Sequence, residues 1–288
     1  MNRSIEHSTS PRRTIASVCT LIASVLVLAF VLSGAAYSAH DEVVRFRSGL
    51  SNSRSRPLTA KQLQTLLEGL RAKTGLMEMR FDEDGRLKLG DRAHIVGGSA
   101  TARALVFAAV DSLHSFRLEN HHQSPTIAFA QIESTEDFVD AAEIKHVVWD
   151  LRFDLHDFTV LRGGAEQLAA FDPALTLLHE LGHGVLGLSD AVSKSDPLGG
   201  CERHVNQIRS ELGLPERESY APQSKLAVLP GNTAHSLQAE LTFVRAEPGK
   251  RESKMKRFSL FFEVERVSLA VTTTPQSSQR GEMIVAMR

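Results

Sequence analysis

The sequence from residue 172 to residue 187 restricts the fold most, because it carries the start and stop signals of one short helix. Asp172 is placed to accept a hydrogen bond from an unpaired backbone N–H, and Pro173 suits the first helical position, where no amide hydrogen is missed. Gly184 and Gly187 offer places for the helix to end. The pattern predicts a helix of about three turns whose leucines pack inward.

Two histidines lie on one face of this predicted helix. His179 and His183 are four residues apart, and at about 3.6 residues per turn both rings can reach one tetrahedral zinc ion. Glu180 is placed to take a proton from the metal-bound water rather than to bind the metal. The alternative interpretation is a pair of surface or hydrogen-bonded histidines on an ordinary amphipathic helix.

The composition is that of a globular protein with enough apolar residues for a core. The chain has 288 residues, 42% of them hydrophobic and 23% charged, which allows one large domain or two small ones. Its formal net charge is −1. No broad electrostatic attraction for nucleic acid is implied, so we expect no nucleic acid among its partners.

The first 39 residues predict an export signal. Arginines precede an apolar stretch at about residues 15–32, and small residues follow at 33–39, as in a cleaved secretion signal. An uncleaved membrane anchor is the alternative, and we expect membrane contact only through this segment. In both cases we expect the remaining chain to be exported, either periplasmic or secreted after cleavage or anchored in the membrane by this segment. Cys201 is then its only cysteine, so no internal disulfide is expected; it is either a thiolate ligand or switch, or a small buried residue.

The rest of the chain divides into three predicted parts. Residues 40–57 read as a polar linker, 58–224 as the main domain, and 225–288 as a β-rich C-terminal segment. The patterns predict the following elements: a helix from Thr59 to Gly75 with a Thr59–Gln62 capping box, a hairpin around 82–85, helices at 100–115 and 202–212, strands at 126–132 and 147–155, and β-like runs at 237–244, 258–271 and 283–287. The strand at 147–155 is a candidate edge for binding an extended peptide. Composition and pattern alone predict an α+β or α/β fold.

A catalytic zinc site needs a third protein ligand, and two carboxylates are candidates. Asp190 follows His183 by seven residues across Gly187, where the chain can turn back toward the metal. Glu202 lies near the start of the next predicted helix. We favour Asp190, although carboxylates of both kinds serve zinc and only geometry separates them.

The residues His179, Glu180 and His183, together with the stretch from 206 to 220, resemble the zincin metallopeptidases. Residues 211–220 are similar to the Glu-Leu-Gly-Leu-Pro-x-Arg-x-x-Tyr tail of some bacterial effector-type metalloproteases. The resemblance covers roughly residues 147–220 and implies an α+β zincin-like fold: a twisted mixed sheet, an active-site helix below the cleft and a smaller C-terminal part. It also implies the seven-residue spacing to a metal ligand, which matches Asp190, and a tyrosine near the metal, a role for Tyr220.

We therefore expect a zinc-dependent endopeptidase that acts on protein or peptide substrates and holds one Zn²⁺ through His179, His183 and Asp190. In this hypothesis Glu180 is the general base and Tyr220, or less favourably Arg209, donates a hydrogen bond to the oxyanion. Two other functions remain open. The first alternative is a non-catalytic zinc-binding envelope protein. The second is a metal-dependent hydrolase of a non-peptide amide.

Overall fold

The computed structural model describes residues 48–228, 235–246 and 255–263. The export segment predicted at 1–39 lies outside these residues, as do the β-like run at 283–287 and the end of the run at 258–271. Within the described ranges, no helix combines the length and apolar character needed to cross a bilayer.

Helices and short strands alternate in the first two thirds of the chain, and antiparallel strands follow. The helices are α1 (Ala60–Thr74), α2 (Ala100–Val110), α3 (Ala165–Ala170), α4 (Pro173–Leu186) and α5 (Gly199–Glu211), with a 3-10 turn at Asp157–Thr159. The strands are β1 (Gly49–Asn52), β2 (Arg80–Phe81), β3 (Leu87–Lys88), β4 (Ser115–Asn120), β5 (Ala130–Val139), β6 (Lys145–Phe153), β7 (Glu216–Arg217), β8 (Gln223–Val228), β9 (His235–Ala246) and β10 (Met255–Glu263). The predicted α+β class is confirmed.

The first sheet is mixed and has the order β1-β4-β6-β5. Strands β1, β4 and β6 are parallel, and β5 pairs antiparallel with β6 at one edge, with a register shift between Ser134 and Glu136. The prediction that the strand at 147–155 offers its edge to a peptide is wrong, because the corresponding β6 is paired on both sides. Among the described residues, the edge strands of this sheet are β1 and β5, and β5 begins later than the predicted 126–132.

Local signals set the helix ends where the sequence predicts them. Thr59 and Gln62 form the capping box of α1, which ends at left-handed Gly75, and the Ser99 side chain caps α2. Helix α2 stops at Val110 instead of continuing to 115, because Ser115 is already paired with Val148 in the sheet. Parallel pairing there outweighs the apolar helical pattern.

A leucine-rich core lies between the first sheet and helices α1, α2, α4 and α5. It includes Leu66, Leu70, Leu105, Phe116, Leu151 and Leu178, all nearly or fully buried. Residues 40–47 of the predicted linker lie outside the described residues, and within 48–57 β1 pairs with β4 and buries Leu50 in this core. A single apolar residue among polar ones provides too little periodicity to reveal such a strand.

A second core joins the C-terminal strands to the segment before α4. In the second sheet β9 pairs with β10, β7 and β8, all antiparallel. Phe129 contacts Phe171 and Phe262 edge-to-face at centroid distances of 5.0 and 5.3 Å. The domain boundary predicted at 224/225 falls inside β8, and β7, which precedes it, pairs with Phe243 and Val244 of β9.

Phe129 adopts an unusual backbone conformation where β5 begins. Its φ is 61°, in the left-handed region that bulky residues rarely occupy. Its N–H donates to Asp157 Oδ2 at 2.9 Å, and its carbonyl accepts from the N–H of Asp154 at 2.9 Å. These contacts hold the kink. Burial raises the pKa of Asp157 to about 7, aided by the Asp154 charge and opposed by the Phe129 N–H.

Helix α4 packs against the first sheet at a glycine. A Cβ on Gly184 would lie 2.6 Å from Phe116 Cε1 and 2.9 Å from Ile132 Cδ1, well inside van der Waals contact. Gly184 therefore permits close approach inside the helix and does not end it. The helix ends at Gly187, which is left-handed with φ 64°.

We expect Gly184→Ala to lower the free energy of unfolding by about 1–3 kcal/mol, because the added methyl overpacks the contact with Phe116 and Ile132. Gly200→Ala is the matched control, since its Cβ would meet Leu188 Cδ2 at an ordinary 3.5 Å. Urea unfolding followed by circular dichroism measures both variants. Equal stability of the two would show that the helix–sheet contact is not tight.

We expect Asp157→Asn to gain stability relative to the parent protein as the pH rises from 5 to 8. The folded-state pKa of about 7 lies above the ordinary 3.8, so the folded protein binds more protons across that window and loses stability as the pH rises. The neutral amide of asparagine does not titrate, so the variant avoids this loss. The loss amounts to about 1–2 kcal/mol of the free energy of unfolding. Denaturant midpoints at pH 5 and pH 8 test it, and an unchanged difference between the variants would contradict the assignment.

Candidate metal centre

The two histidines of the motif lie together on α4. Asp172 caps this helix by accepting from the N–H of Leu175 at 2.8 Å, and its carboxylate also pairs with Lys73 at 2.9 Å. The rings of His179 and His183 are 5.0 Å apart at an interplanar angle of 79°. The four-residue spacing therefore brings both imidazoles to one site.

Each imidazole presents one nitrogen to a supporting oxygen and the other to Asp190. Nδ1 of His183 is 2.7 Å from the Leu188 carbonyl oxygen, and Nδ1 of His179 is 3.5 Å from Glu202 Oε2. The Nε2 atoms of His179 and His183 lie 3.0 and 3.3 Å from Asp190 Oδ1. Supporting oxygens at Nδ1 direct the Nε2 lone pairs of neutral imidazoles into the site, as in many protein metal centres.

The three side chains together favour positive charge at their meeting point. Burial disfavours the charged form of His183, but the hydrogen bonds and charges of Asp190 and Cys201 together outweigh it and raise the pKa of His183 to about 10. The pKa of His179 is raised in the same way. Burial alone would raise the pKa of Asp190, but its hydrogen bonds to the two imidazoles lower it well below the ordinary range. A cation at this point replaces the protons that the imidazoles otherwise hold.

The distances from the Asp190 oxygen to the two imidazoles match the edges of a tetrahedral site. Ligand atoms about 2.0–2.1 Å from zinc at tetrahedral angles lie about 3.3 Å apart. The two Nε2–Oδ1 distances of 3.0 and 3.3 Å are close to that edge length. His179, His183 and Asp190 therefore supply donors of suitable type, and each imidazole lies at a suitable distance from the carboxylate.

Cys201 provides a second donor set with the same imidazoles. Its thiol lies within 4.8 Å of ligand atoms of His179 and His183, and the three residues are of types that bind metals. The thiol is buried and donates to the His179 carbonyl oxygen at 2.9 Å. Burial raises the pKa of Cys201, but hydrogen bonds with the two imidazoles outweigh it and lower the pKa.

Glu180 is buried between the imidazoles and the edge strand. Burial raises its pKa, whereas the imidazoles of His179 and His183 and the N–H of Ile132 in β5 act in the opposite direction. Ile132, whose N–H acts on the Glu180 carboxylate, belongs to β5, an edge strand of the first sheet. Glu180 therefore lies where a base would act on a molecule held along that strand.

Tyr220 lies against the imidazole of His179. Its ring stacks on the imidazole of His179 at 5.5 Å and 5°, and its hydroxyl forms a hydrogen bond with Asp190. Burial, followed by the charges of Asp190 and Glu180, raises the pKa of Tyr220. The hydroxyl therefore stays protonated and can donate a hydrogen bond.

Glu202, the rival third ligand, is surrounded by cations. It is 1% exposed, its Oε1 accepts from Arg209 Nη1, and its Oε2 lies 3.2 Å from Arg217 Nη1. Nδ1 of His179 is the third group on this carboxylate. Glu202 thus orients an imidazole from behind.

Arg209 is held away from the role considered for it in catalysis. Its guanidinium binds Glu202, Asn206 Oδ1 at 2.7 Å and the Ala170 carbonyl oxygen at 2.8 Å, and it lies over the ring of Phe243. It is 2% exposed. Arg209 therefore takes part in a structural ion pair and not in an oxyanion contact.

Sequence reasoning missed Arg217 and the strand β5. Arg217 lies within the stretch that carries the resemblance, but no spacing rule connects an arginine there to a helix nearly 40 residues earlier in the chain. Strand β5 is rich in charged and polar residues and mostly exposed. Its edge position therefore has no clear hydrophobic signature.

Comparisons with protein-family models, with curated proteins and with solved structures found no match to this chain. The interpretation of the site accordingly depends on its own geometry.

Proposed function

We propose that the protein is an exported zinc-dependent endopeptidase. The observation that carries this proposal is the convergence of His179, His183 and Asp190 on one point, with Glu180 between that point and the edge strand β5. A zincin-like fold is part of the proposal. It is supported by the mixed first sheet, whose antiparallel edge strand lies beside the motif helix.

The metal ligands proposed are Nε2 of His179, Nε2 of His183 and a carboxylate oxygen of Asp190. Glu202 and the Leu188 carbonyl hold the two Nδ1 atoms, so both rings keep the orientation that such binding needs. A zinc ion held there would polarise a water and the substrate carbonyl. The other steps of the reaction belong to the side chains around it.

Glu180 serves as the general base and then as the acid. It takes a proton from the water that attacks the peptide carbonyl and delivers it to the departing amine. Burial raises its pKa, which strengthens it as a base. The Tyr220 hydroxyl donates a hydrogen bond to the oxygen that gains negative charge.

The substrate is proposed to lie along β5 as an added strand. β5 lies at the edge of the first sheet, so its outer backbone groups would pair with an extended peptide. Strand addition aligns a peptide through main-chain hydrogen bonds, and neighbouring pockets select its side chains. This arrangement favours a peptide bond over other amides as the target.

We expect Glu180→Gln to retain zinc while kcat/KM for peptide hydrolysis falls by about 100-fold or more, because the amide cannot accept the proton. Metal content is measured by atomic emission and hydrolysis with a peptide library. Glu166→Gln, at a surface residue exposed in its pair with Arg245, is the control. Zinc retention with no cleavage of any peptide or protein by the parent chain would favour a non-catalytic zinc protein.

We expect Asp190→Ala to weaken zinc binding by about 100-fold or more, because it removes one of three ligands. Cys201→Ala should keep zinc at the parental affinity, since its thiol is bonded to the His179 carbonyl. Competition with a zinc-binding dye measures both. Loss of zinc in Cys201→Ala with retention in Asp190→Ala would assign the site to the thiol set instead.

A further inference from the structure

A small pocket opens beside the imidazole of His179. It lies between the start of β5, the first turns of α4 and the chain around Arg217 and Tyr220. It offers about 30 Å³ of room for water-sized groups, which is enough for one or two such groups. Its size suits a small polar group better than a large side chain.

Two residues that line the pocket each carry a polar atom with no hydrogen-bond partner among the residues that the structure describes. These atoms are Nε of Arg217 and Oγ1 of Thr176, both buried, in residues that are 3% and 9% exposed. An unpaired buried donor is costly and uncommon in folded proteins. Both atoms can donate a hydrogen bond, so together they suit an acceptor.

The charge behind the pocket is positive. Glu202 is the one carboxylate paired with the two buried guanidiniums of Arg209 and Arg217, and arginine stays protonated in proteins. Asp190 also acts on Arg217, but in the proposed function it is a metal ligand. One positive charge is therefore left over at the inner wall.

Aromatic rings hold the Arg217 side chain in place. Its guanidinium lies over Phe171 at 5.5 Å and over Tyr220 at 5.4 Å. Nη1 binds Glu202 and Nη2 binds the Tyr220 carbonyl oxygen. With Nη1 and Nη2 each engaged, Nε carries a buried N–H that a ligand would pair.

We propose that this pocket binds a carboxylate of the substrate next to the scissile bond. The inference rests on the proposed peptidase function. The carboxylate comes from an aspartate or glutamate side chain, or from the free C-terminus of a peptide. Arg217 provides charge and a donor, and Thr176 provides a second donor.

The experiment maps cleavage sites by mass spectrometry in a proteome-derived peptide library, using the full zinc-loaded protein. We expect aspartate and glutamate to be enriched at one fixed position beside the scissile bond. Cleavage at a fixed distance from the C-terminus, lost when the C-terminus is amidated, would identify the terminal carboxylate as the source. Cleavage with no acid preference of either kind would overturn the inference and leave the peptidase proposal standing. No cleavage at all would remove both.

Variants assign the preference to the pocket. We expect Thr176→Val, which keeps the side-chain shape, and Arg217→Gln to lower kcat/KM for a peptide with glutamate relative to its glutamine counterpart by about tenfold or more. Arg203→Gln is the control, because that guanidinium is exposed and pairs with Asp196. If Arg217→Gln fails to fold, Thr176→Val decides the result alone. An unchanged ratio in the folded variants would contradict the assignment.

Discussion

The buried carboxylate of Glu202 is the interaction on which the site depends. A charge that is 1% exposed needs partners, and Glu202 finds them in Arg209 of its own helix, Arg217 of β7 and His179 of α4. Asn206 links the same elements by bonding the backbone N–H and carbonyl of Arg217 at 2.8 Å each. The Glu202 carboxylate thus connects β7 in the second sheet to His179, and it orients the His179 imidazole. Removing it would leave two guanidiniums buried together, which is far more costly than losing an exposed pair.

Close packing is the second constraint on the site. Gly182 contacts Cys201 and Gly184 contacts Phe116 and Ile132 at distances that leave no room for a methyl group. The motif helix can therefore lie near both α5 and β5. The kink at Phe129 sets where β5 begins, and its backbone is held by Asp157. Gly182 and Gly184 in the motif helix and the left-handed Phe129 before β5 together bring Glu180 within reach of β5.

Local patterns predicted the helices better than the sheets. The caps at Thr59, Ser99 and Asp172 lie where expected, because a cap depends on hydrogen bonds within three or four residues. The strand β1 and the edge position of β5 were not predictable in this way. A strand's place is decided by neighbours distant in the chain, and β5 has mostly exposed side chains with no apolar stripe. The boundary expected at 224/225 fails for the same reason, since β7 and β8 belong to one sheet with β9.

The sequence by itself determined a capped helix that carries His179, Glu180 and His183 on neighbouring positions, because helical periodicity is a local property. It also offered Asp190 and Glu202 as candidate carboxylate ligands, beside the thiol of Cys201. Only the tertiary structure decided how these differ: the loop after Gly187 brings Asp190 to both Nε2 atoms, whereas the packing of α5 buries Glu202 between two arginines. It also placed Arg217 and Thr176 in one pocket. The proximity of these two residues depends on the packing of elements that are distant in sequence. That packing cannot be predicted from residue spacing.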